Sequence, residues 1–319
     1  GAVVGMELIT GDTLCPKDNP IVLERTQFPE PVIDQAIEPK TKPDQDKLEE
    51  ALQRLMQEDP SFRSRIDTET GQNIISGMGE LHLEIMVDRL QREFKVDCKA
   101  GTPRVAYRET ITQSAESATK FEQTLDGKEQ FASCRIKLEP LKAGSGFEFE
   151  NKLSAEKLPG KFAVAVEQGI QDGMSNGVLA GFAMIDLKAT LIAAEYFEEL
   201  STETAFSIAG INVLRAGVQK AKPTLLEPSM KIEVVTPVSF TGEVIGDLNA
   251  RHGRIRGMEE QGGIQVILAE APLAEMFGYS TRLRSLTQGR ASFTMHFSHY
   301  SSVTEATRKA LTGESASSG

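Results

Sequence analysis

Few residues in this chain are spaced for chemistry, and those that are point to contact more than to turnover. His82-x-Glu84 has the spacing that opens a zinc deaminase signature, yet no Pro-Cys-x-x-Cys follows it in the 319 residues. The reading expected for His82, with Glu80 beside it at a helix start, is therefore a contact to its own sheet or to a neighbouring module, and no metal. His296 and His299 are also spaced like ligands, but alternation along a strand sends them to opposite faces, as two surface histidines. No serine or cysteine has a recognisable base close by in sequence, which leaves open a triad assembled in space. No Gly-x-x-x-x-Gly-Lys-Ser/Thr loop occurs, so these residues by themselves are not expected to hydrolyse a nucleotide.

Two clusters are better suited to binding. Arg251, His252, Arg254 and Arg256 follow one expected helix end, and Arg282, Arg284 and Arg290 surround the next helix. Basic groups along one edge of a small module can meet phosphates; the alternative is a solvated face paired with Glu243, Glu259 and Glu275. The other cluster is the segment 195–200, where Tyr196 and Phe197 stand among Glu195, Glu198 and Glu199. A core cannot solvate three carboxylates, so the aromatics are either presented to a partner or folded back on their own strand.

The elements around the second cluster are legible. Residues 183–193 alternate, with Met184, Asp186, Lys188 and Thr190 on one side and Ile185, Leu187, Ala189 and Leu191 on the other, the period of a half-buried strand. Ser201 or Thr202 then offers an N-cap, Glu203 lies in the first turn, and Lys220 and Lys222 precede Pro223 at the end of one long helix. Residues 195–200 are the exposed tip between that strand and that helix.

The remaining chain divides into modules. Residues 1–28 begin like a strand entered partway through and continue into the turn Thr10-Gly11-Asp12-Thr13; a lone strand is not stable, so an upstream partner domain is expected. Residues 29–104 predict strand, helix, strand, strand, helix, strand: extended 32–37, a helix from Thr41 and Asp44 with a stripe at Leu48, Ala51, Leu52 and Leu55, strands 62–67 and 73–78 about a turn at Thr70-Gly71, a helix 79–94, and a strand 95–99. The same order returns over 225–297, with strands 230–235, 254–258, 264–269 and 291–297 and helices 241–252 and 274–286. The fold class is α+β: two ferredoxin-like split βαβ modules around a different module at 105–222. In that middle module 130–138 and 146–151 predict strands and 162–174 a helix, while 301–311 predicts a short terminal helix before a fraying polar tail to Gly319.

Composition sets limits. At 39% apolar and 25% charged residues the chain is an ordinary globular one with room for two or three domains, and no run spans a bilayer. A net charge of −11 argues against non-specific coating of nucleic acid. Cys15, Cys98 and Cys134 are odd in number and scattered, which points to a reducing cytoplasm and no disulfide framework.

Gly77-Met-Gly-Glu-Leu-His-Leu-Glu-Ile and Pro272-Leu-Ala-Glu-Met-Phe-Gly-Tyr-Ser-Thr-Arg-Leu-Arg-Ser-Leu-Thr-Gln-Gly-Arg resemble bacterial elongation factor G. So do Glu38-Pro-Lys-Thr-Lys42, Val105-Ala-Tyr-Arg-Glu-Thr110 and Leu226-Glu-Pro-Ser-Met-Lys231. The resemblance implies the tail of a β-barrel domain II over 1–28 and domain III over 29–104. It implies a ribosomal-protein-S5-like domain IV with a left-handed βαβ crossover over 105–222, domain V over 223–300, and a C-terminal helix and tail over 301–319. It further implies a monomeric, cytoplasmic partner of the ribosome and of tRNA–mRNA, working with its own GTPase domain. No cofactor is implied for these residues, while GTP and Mg are implied for the intact parent. The implied contacts are a decoding-site tip of Tyr196, Phe197, Glu198 and Glu199 with Gly127, Lys128 and Gln130 of a second loop, ribosomal RNA contacts at Arg251, His252 and Arg254, and interdomain contacts at Glu80 and His82.

The departures fall at the tip. Where the family usually has Gly-Ser-Tyr-His-Asp-Val-Asp-Ser-Ser-Glu, this chain has Ala194-Glu-Tyr-Phe-Glu-Glu-Leu-Ser-Thr-Glu203, so Phe197 stands at the position of the histidine. The second loop, commonly Gly-Gly-Arg-Gly-Gln-Tyr-Gly-His, is Leu125-Asp-Gly-Lys-Glu-Gln-Phe-Ala132. A divergent type 2 paralogue is expected, with weakened or altered translocation; recycling, ribosomal protection, or RNA binding without a GTPase are the alternatives.

Overall fold

A computed structural model describes residues 15, 16, 18, 31–67, 72–125 and 128–313. The strand and turn expected within 1–28, the turn at Thr70-Gly71 and the second-loop residue Gly127 lie outside the described residues, except for the three isolated positions just named.

The first module runs β1 (Ile33–Pro39), α1 (Lys42–Glu58), β2 (Arg63–Ile66), β3 (Asn73–Gly77), α2 (Glu80–Arg92) and β4 (Cys98–Ala100). The short strand β5 (Arg104–Val105) also pairs with β1. Its sheet order, β2-β3-β1-β4, is that of a ferredoxin-like fold. At the start of α1, Thr41 holds the extended N-cap conformation, its carbonyl accepting Asp44 N and Gln45 N and its hydroxyl donating to the Asp44 carboxylate. The stripe Leu48, Ala51, Leu52 and Leu55 is buried, and Asp59-Pro60 ends the helix.

The middle module holds β6 (Arg108–Ile111), β7 (Ala115–Leu125), β8 (Lys128–Pro140), β9 (Phe147–Asn151), α3 (Gly160–Ser175), β10 (Leu187–Glu195) and α4 (Glu203–Lys220). Its sheet order is β7-β8-β10-β9; β9 lies parallel to β10, and α3 makes the crossover between them. Both helices cover one face, over a core that includes Ile136, Leu138, Val166, Ile170, Phe206 and Val213. The strand predicted from residue 183 begins four residues later. Asp186 takes a left-handed backbone (φ 57°) and its carboxylate accepts the N–H groups of Gly144 and Gly146, so the chain turns before β10 starts.

The last stretch comprises β11 (Pro223–Pro237), α5 (Thr241–Ala250), β12 (Arg254–Gln261), β13 (Ile264–Pro272), α6 (Leu273–Met276), α7 (Tyr279–Leu286), β14 (Ser292–Ser302) and α8 (Glu305–Thr312). Its order β12-β13-β11-β14 repeats that of the first module. The single helix predicted over 274–286 is two helices, because Gly278 is left-handed (φ 68°) between them. The described residues divide into two compact units. One contains residues up to Ala106 together with Ser229–Ser298, and the other Tyr107–Pro228 together with residues from His299 onward. Among the described residues, no helix is long and apolar enough to cross a membrane.

Candidate contact sites

The tip is built where β10 ends. The carbonyl of Phe197 accepts the N–H groups of Leu200 and Ser201, turning the chain back, and Thr202 starts α4 by accepting from Ala205 N at 3.1 Å. The same Thr202 hydroxyl donates to Gln130 Oε1 at 2.6 Å, so one side chain caps the helix and ties it to β8. Phe131 N donates to Leu200 O at 2.9 Å, and Ser201 Oγ donates to Phe131 O while accepting from Phe197 N. The start of β8, which Lys128 opens, and the segment 195–202 are thereby one structure.

The two tip aromatics divide the alternatives between them. Tyr196 folds back, its ring 5.7 Å from that of Phe162, which stacks on Phe206 at 4.7 Å. Phe197 is presented: it is 54% exposed, with its ring edge-on to Phe131 at 4.7 Å. Glu198 and Glu199 are exposed beside it.

His82 is held inside the first module. Its Nδ1 accepts from Met78 N at 3.1 Å and its Nε2 lies 3.1 Å from Asp59 Oδ2, which assigns the neutral ring its proton on Nε2. The ring also sits edge-on to Phe62. Both nitrogens are engaged, so neither offers a lone pair to a metal, and among the described residues no group of His, Cys, Asp or Glu is placed to hold one. Glu80 is half-buried in the first turn of α2. The contacts seen for His82 thus tie the start of α2 to the end of α1.

Burial alone would raise the Asp59 carboxyl, but two hydrogen bonds from Ser61 and the facing His82 outweigh it and hold it below the usual carboxylate range. A group lowered on folding stabilises the fold above its unfolded value near ~4 and loses that contribution as pH falls through the folded value. Acid titration of the protein, followed by circular dichroism, should therefore show destabilisation below about pH 4 that Asp59→Asn partly flattens. An unchanged acid limb in that variant would separate Asp59 from the effect.

The basic edge separates into groups spent on the fold and groups left facing solvent. Asp247, on α5, takes Arg251 Nε at 2.9 Å on one oxygen and Arg282 Nε at 3.1 Å on the other. Arg251 also donates to the carbonyl of Glu275 and lies 5.2 Å from the centre of the Tyr279 ring. Arg256 forks onto Glu270. His252, in a left-handed conformation (φ 57°), stands exposed 3.5 Å from Glu275, and Arg254 is exposed on β12. Of the three arginine and histidine positions singled out for phosphate contact, His252 and Arg254 face outward, while Arg251 is mostly covered at 20% side-chain exposure. His296 and His299 are both at the surface.

One buried group drew no attention in the sequence. Glu109, on β6, is fully buried, and its carboxylate accepts four backbone N–H groups: Val178 and Leu179 on one oxygen, Ala180 and Phe182 on the other, at 2.7–3.0 Å. A glutamate inside an otherwise ordinary short strand carries no periodic signal; the glycine at 177, with its φ of 66°, was the available hint of a loop wrapping something. The thiols of Cys98 and Cys134 are buried, and burial pushes the latter up to about 12, which leaves it a packing residue.

Three family models match successive stretches of the chain: elongation factor G domain III over residues 28–102, elongation factor G domain IV over 103–222, and the elongation factor G C-terminus over 224–311. The solved structure of ttk003000868 from Thermus thermophilus is 36% identical, with a TM-score of 0.70; the match covers 97% of this chain and 46% of that one. This chain spans about half the length of that relative.

Proposed function

The chain belongs to the elongation factor G family, and we propose that it is the ribosome-engaging part of a translational GTPase that promotes movement of tRNA and mRNA, in a type 2 paralogue with an altered tip. The observation that carries the reading is the convergence of two loops at one end of the middle module. Gln130, Phe131 and the segment 195–202 are bonded into a single projection that presents an aromatic ring. A projection of this kind can enter a confined RNA site and stack on a base, as single-stranded RNA readers do with aromatic side chains. Net acidity is no obstacle, because a docked factor needs a few placed phosphate contacts rather than a positive surface, and His252 and Arg254 supply outward-facing candidates for ribosomal RNA. No phosphate-binding loop occurs in the 319 residues, so GTP and Mg do not fit them and belong in this reading to the parent's GTPase domain. The working location is the cytoplasm, and the working form a monomer.

The tip also supports a second reading, ribosome recycling or ribosomal protection. Phe197 cannot donate the hydrogen bonds of an imidazole, and Glu198 and Glu199 oppose approach to phosphates. A toeprint of pre-translocation ribosomes with the intact protein and GTP decides between them. A one-codon shift is expected for the wild type, with Phe197→His shifting at an equal or higher rate. Ribosome binding without a shift, partly rescued by Phe197→His, would move the assignment to the second reading.

A further inference from the structure

We propose that Phe131 is a positioning residue for the tip: its ring is the platform that holds Phe197 in its presented orientation and makes the two tip loops act as one stiff probe. The inference rests on the tip reading above for its functional half and on geometry for the rest.

Along β8 the residues Ala132, Cys134, Ile136 and Leu138 are buried against the helices. Phe131 has the opposite parity and belongs to the outer face, which it shares with Arg135, Lys137 and Glu139. A phenylalanine on such a charged face is ordinarily exposed, yet Phe131 is 4% exposed while standing outside the hydrophobic core of its unit. Against its ring lie Phe197 of the tip, edge-on at 4.7 Å, and Lys120 of β7, with its Nζ 5.5 Å from the ring centre. The backbone of the same residue is clamped from both sides, its N–H by Leu200 O and its carbonyl by Ser201 Oγ, which also takes Phe197 N. An apolar ring buried away from the core, with its amide bonded to the loop it covers, serves the placement of Phe197 and not the packing of the sheet.

Two measurements on the intact protein test this. In the first, 4-fluorophenylalanine is placed at position 197 and its fluorine resonance followed. Phe131→Leu is expected to move the signal toward that of the free amino acid and narrow it, and Phe131→Tyr, which keeps the ring, to restore it; an unmoved resonance in Phe131→Leu overturns the proposal. In the second, toeprint rates are taken across protein concentration. Phe131→Leu should lower the maximal rate about tenfold with the half-saturating concentration unchanged, and the double variant with Phe197→Leu should be no slower than Phe197→Leu alone. Additive losses, or a loss confined to the half-saturating concentration, would show that Phe131 does not act through Phe197. Absence of any toeprint with the wild type would sink the translocation reading, while the fluorine measurement would still decide the role of Phe131.

Discussion

Gly169→Ala is expected to destabilise the second unit by about 3 kcal/mol or more, enough to split its unfolding from that of the rest of the protein. A Cβ at position 169 of α3 would lie 2.0 Å from Ser207 O on α4, and one at Gly210 of α4 would lie 2.6 Å from Val166 O on α3. The two helices approach until each backbone occupies the space of the other's missing side chain, and a carbonyl cannot swing aside as a side-chain end can. Alanine's better helix propensity, worth about 1 kcal/mol, opposes the effect but is too small to cancel it. Gly246 provides the contrast: it lies inside α5, and a Cβ there meets nothing within 4 Å. Gly246→Ala should therefore gain about 0.5–1 kcal/mol from reduced unfolded-state freedom. Differential scanning calorimetry of both variants reads the two signs, and a Gly169→Ala protein that melts with the wild type would refute the close approach of α3 and α4.

That helix contact was invisible in the sequence, and the reason separates what could be read from what could not. The α+β class and the repeated strand-helix-strand-strand-helix-strand order were legible because each element carries its own period. Leu48, Ala51, Leu52 and Leu55 mark one helix face without reference to any other element. Periodicity reports the side chains that face the core, not the continuity of the backbone. Leu273, Met276, Tyr279 and Leu283 are all buried, so the stripe runs on across the left-handed Gly278 and two helices read as one. Strand β7 failed in the opposite way. Its inward residues include Ser117 and Thr119 with Phe121, and Ser117 is satisfied by donating to Val213 O of α4, so little apolar alternation was left to see.

The same division applies to the sites. That residues 195–200 form an exposed aromatic and acidic tip followed from composition. That Phe197 rests on Phe131 depends on the register of β8 against β10, which shifts between Leu191 and Ala193 and has no local signature. On the basic edge, the pairing of Arg251 with Asp247 is an i,i+4 pattern within reach of sequence reasoning. The second claim on that carboxylate, by Arg282, comes from 35 residues away. Such non-local partners decide which positive groups are spent on the fold and which remain for a ligand.

Glu109 is a second place where a non-local partner set has a large consequence. Its two oxygens hold the four N–H groups of the loop that follows α3, and its own backbone brackets that loop's exit, with Glu109 N donating to Ala183 O and Ile185 N donating to Glu109 O. Each N–H donated to a charged acceptor is worth about 1.5–3 kcal/mol, and the four share one carboxylate, so the terms do not simply add. Glu109→Ala would leave four partly buried donors without an acceptor, and a loss of about 4 kcal/mol is expected. Glu109→Gln is the sharper variant, because it keeps the volume and exchanges one accepting oxygen for a donor that faces two of the N–H groups. Its loss should concentrate in the loop: hydrogen exchange at Val178, Leu179, Ala180 and Phe182 is expected to accelerate by at least about a hundredfold, while amides in the core of β8 change far less. Gly177 is what lets the loop approach this closely, since a Cβ there would stand 2.7 Å from Glu109 Oε1 and 2.3 Å from Phe182 O. Uniform acceleration across the unit would instead mean that the cage is part of the global fold, and unchanged exchange at the four amides would mean that Glu109 does not hold them.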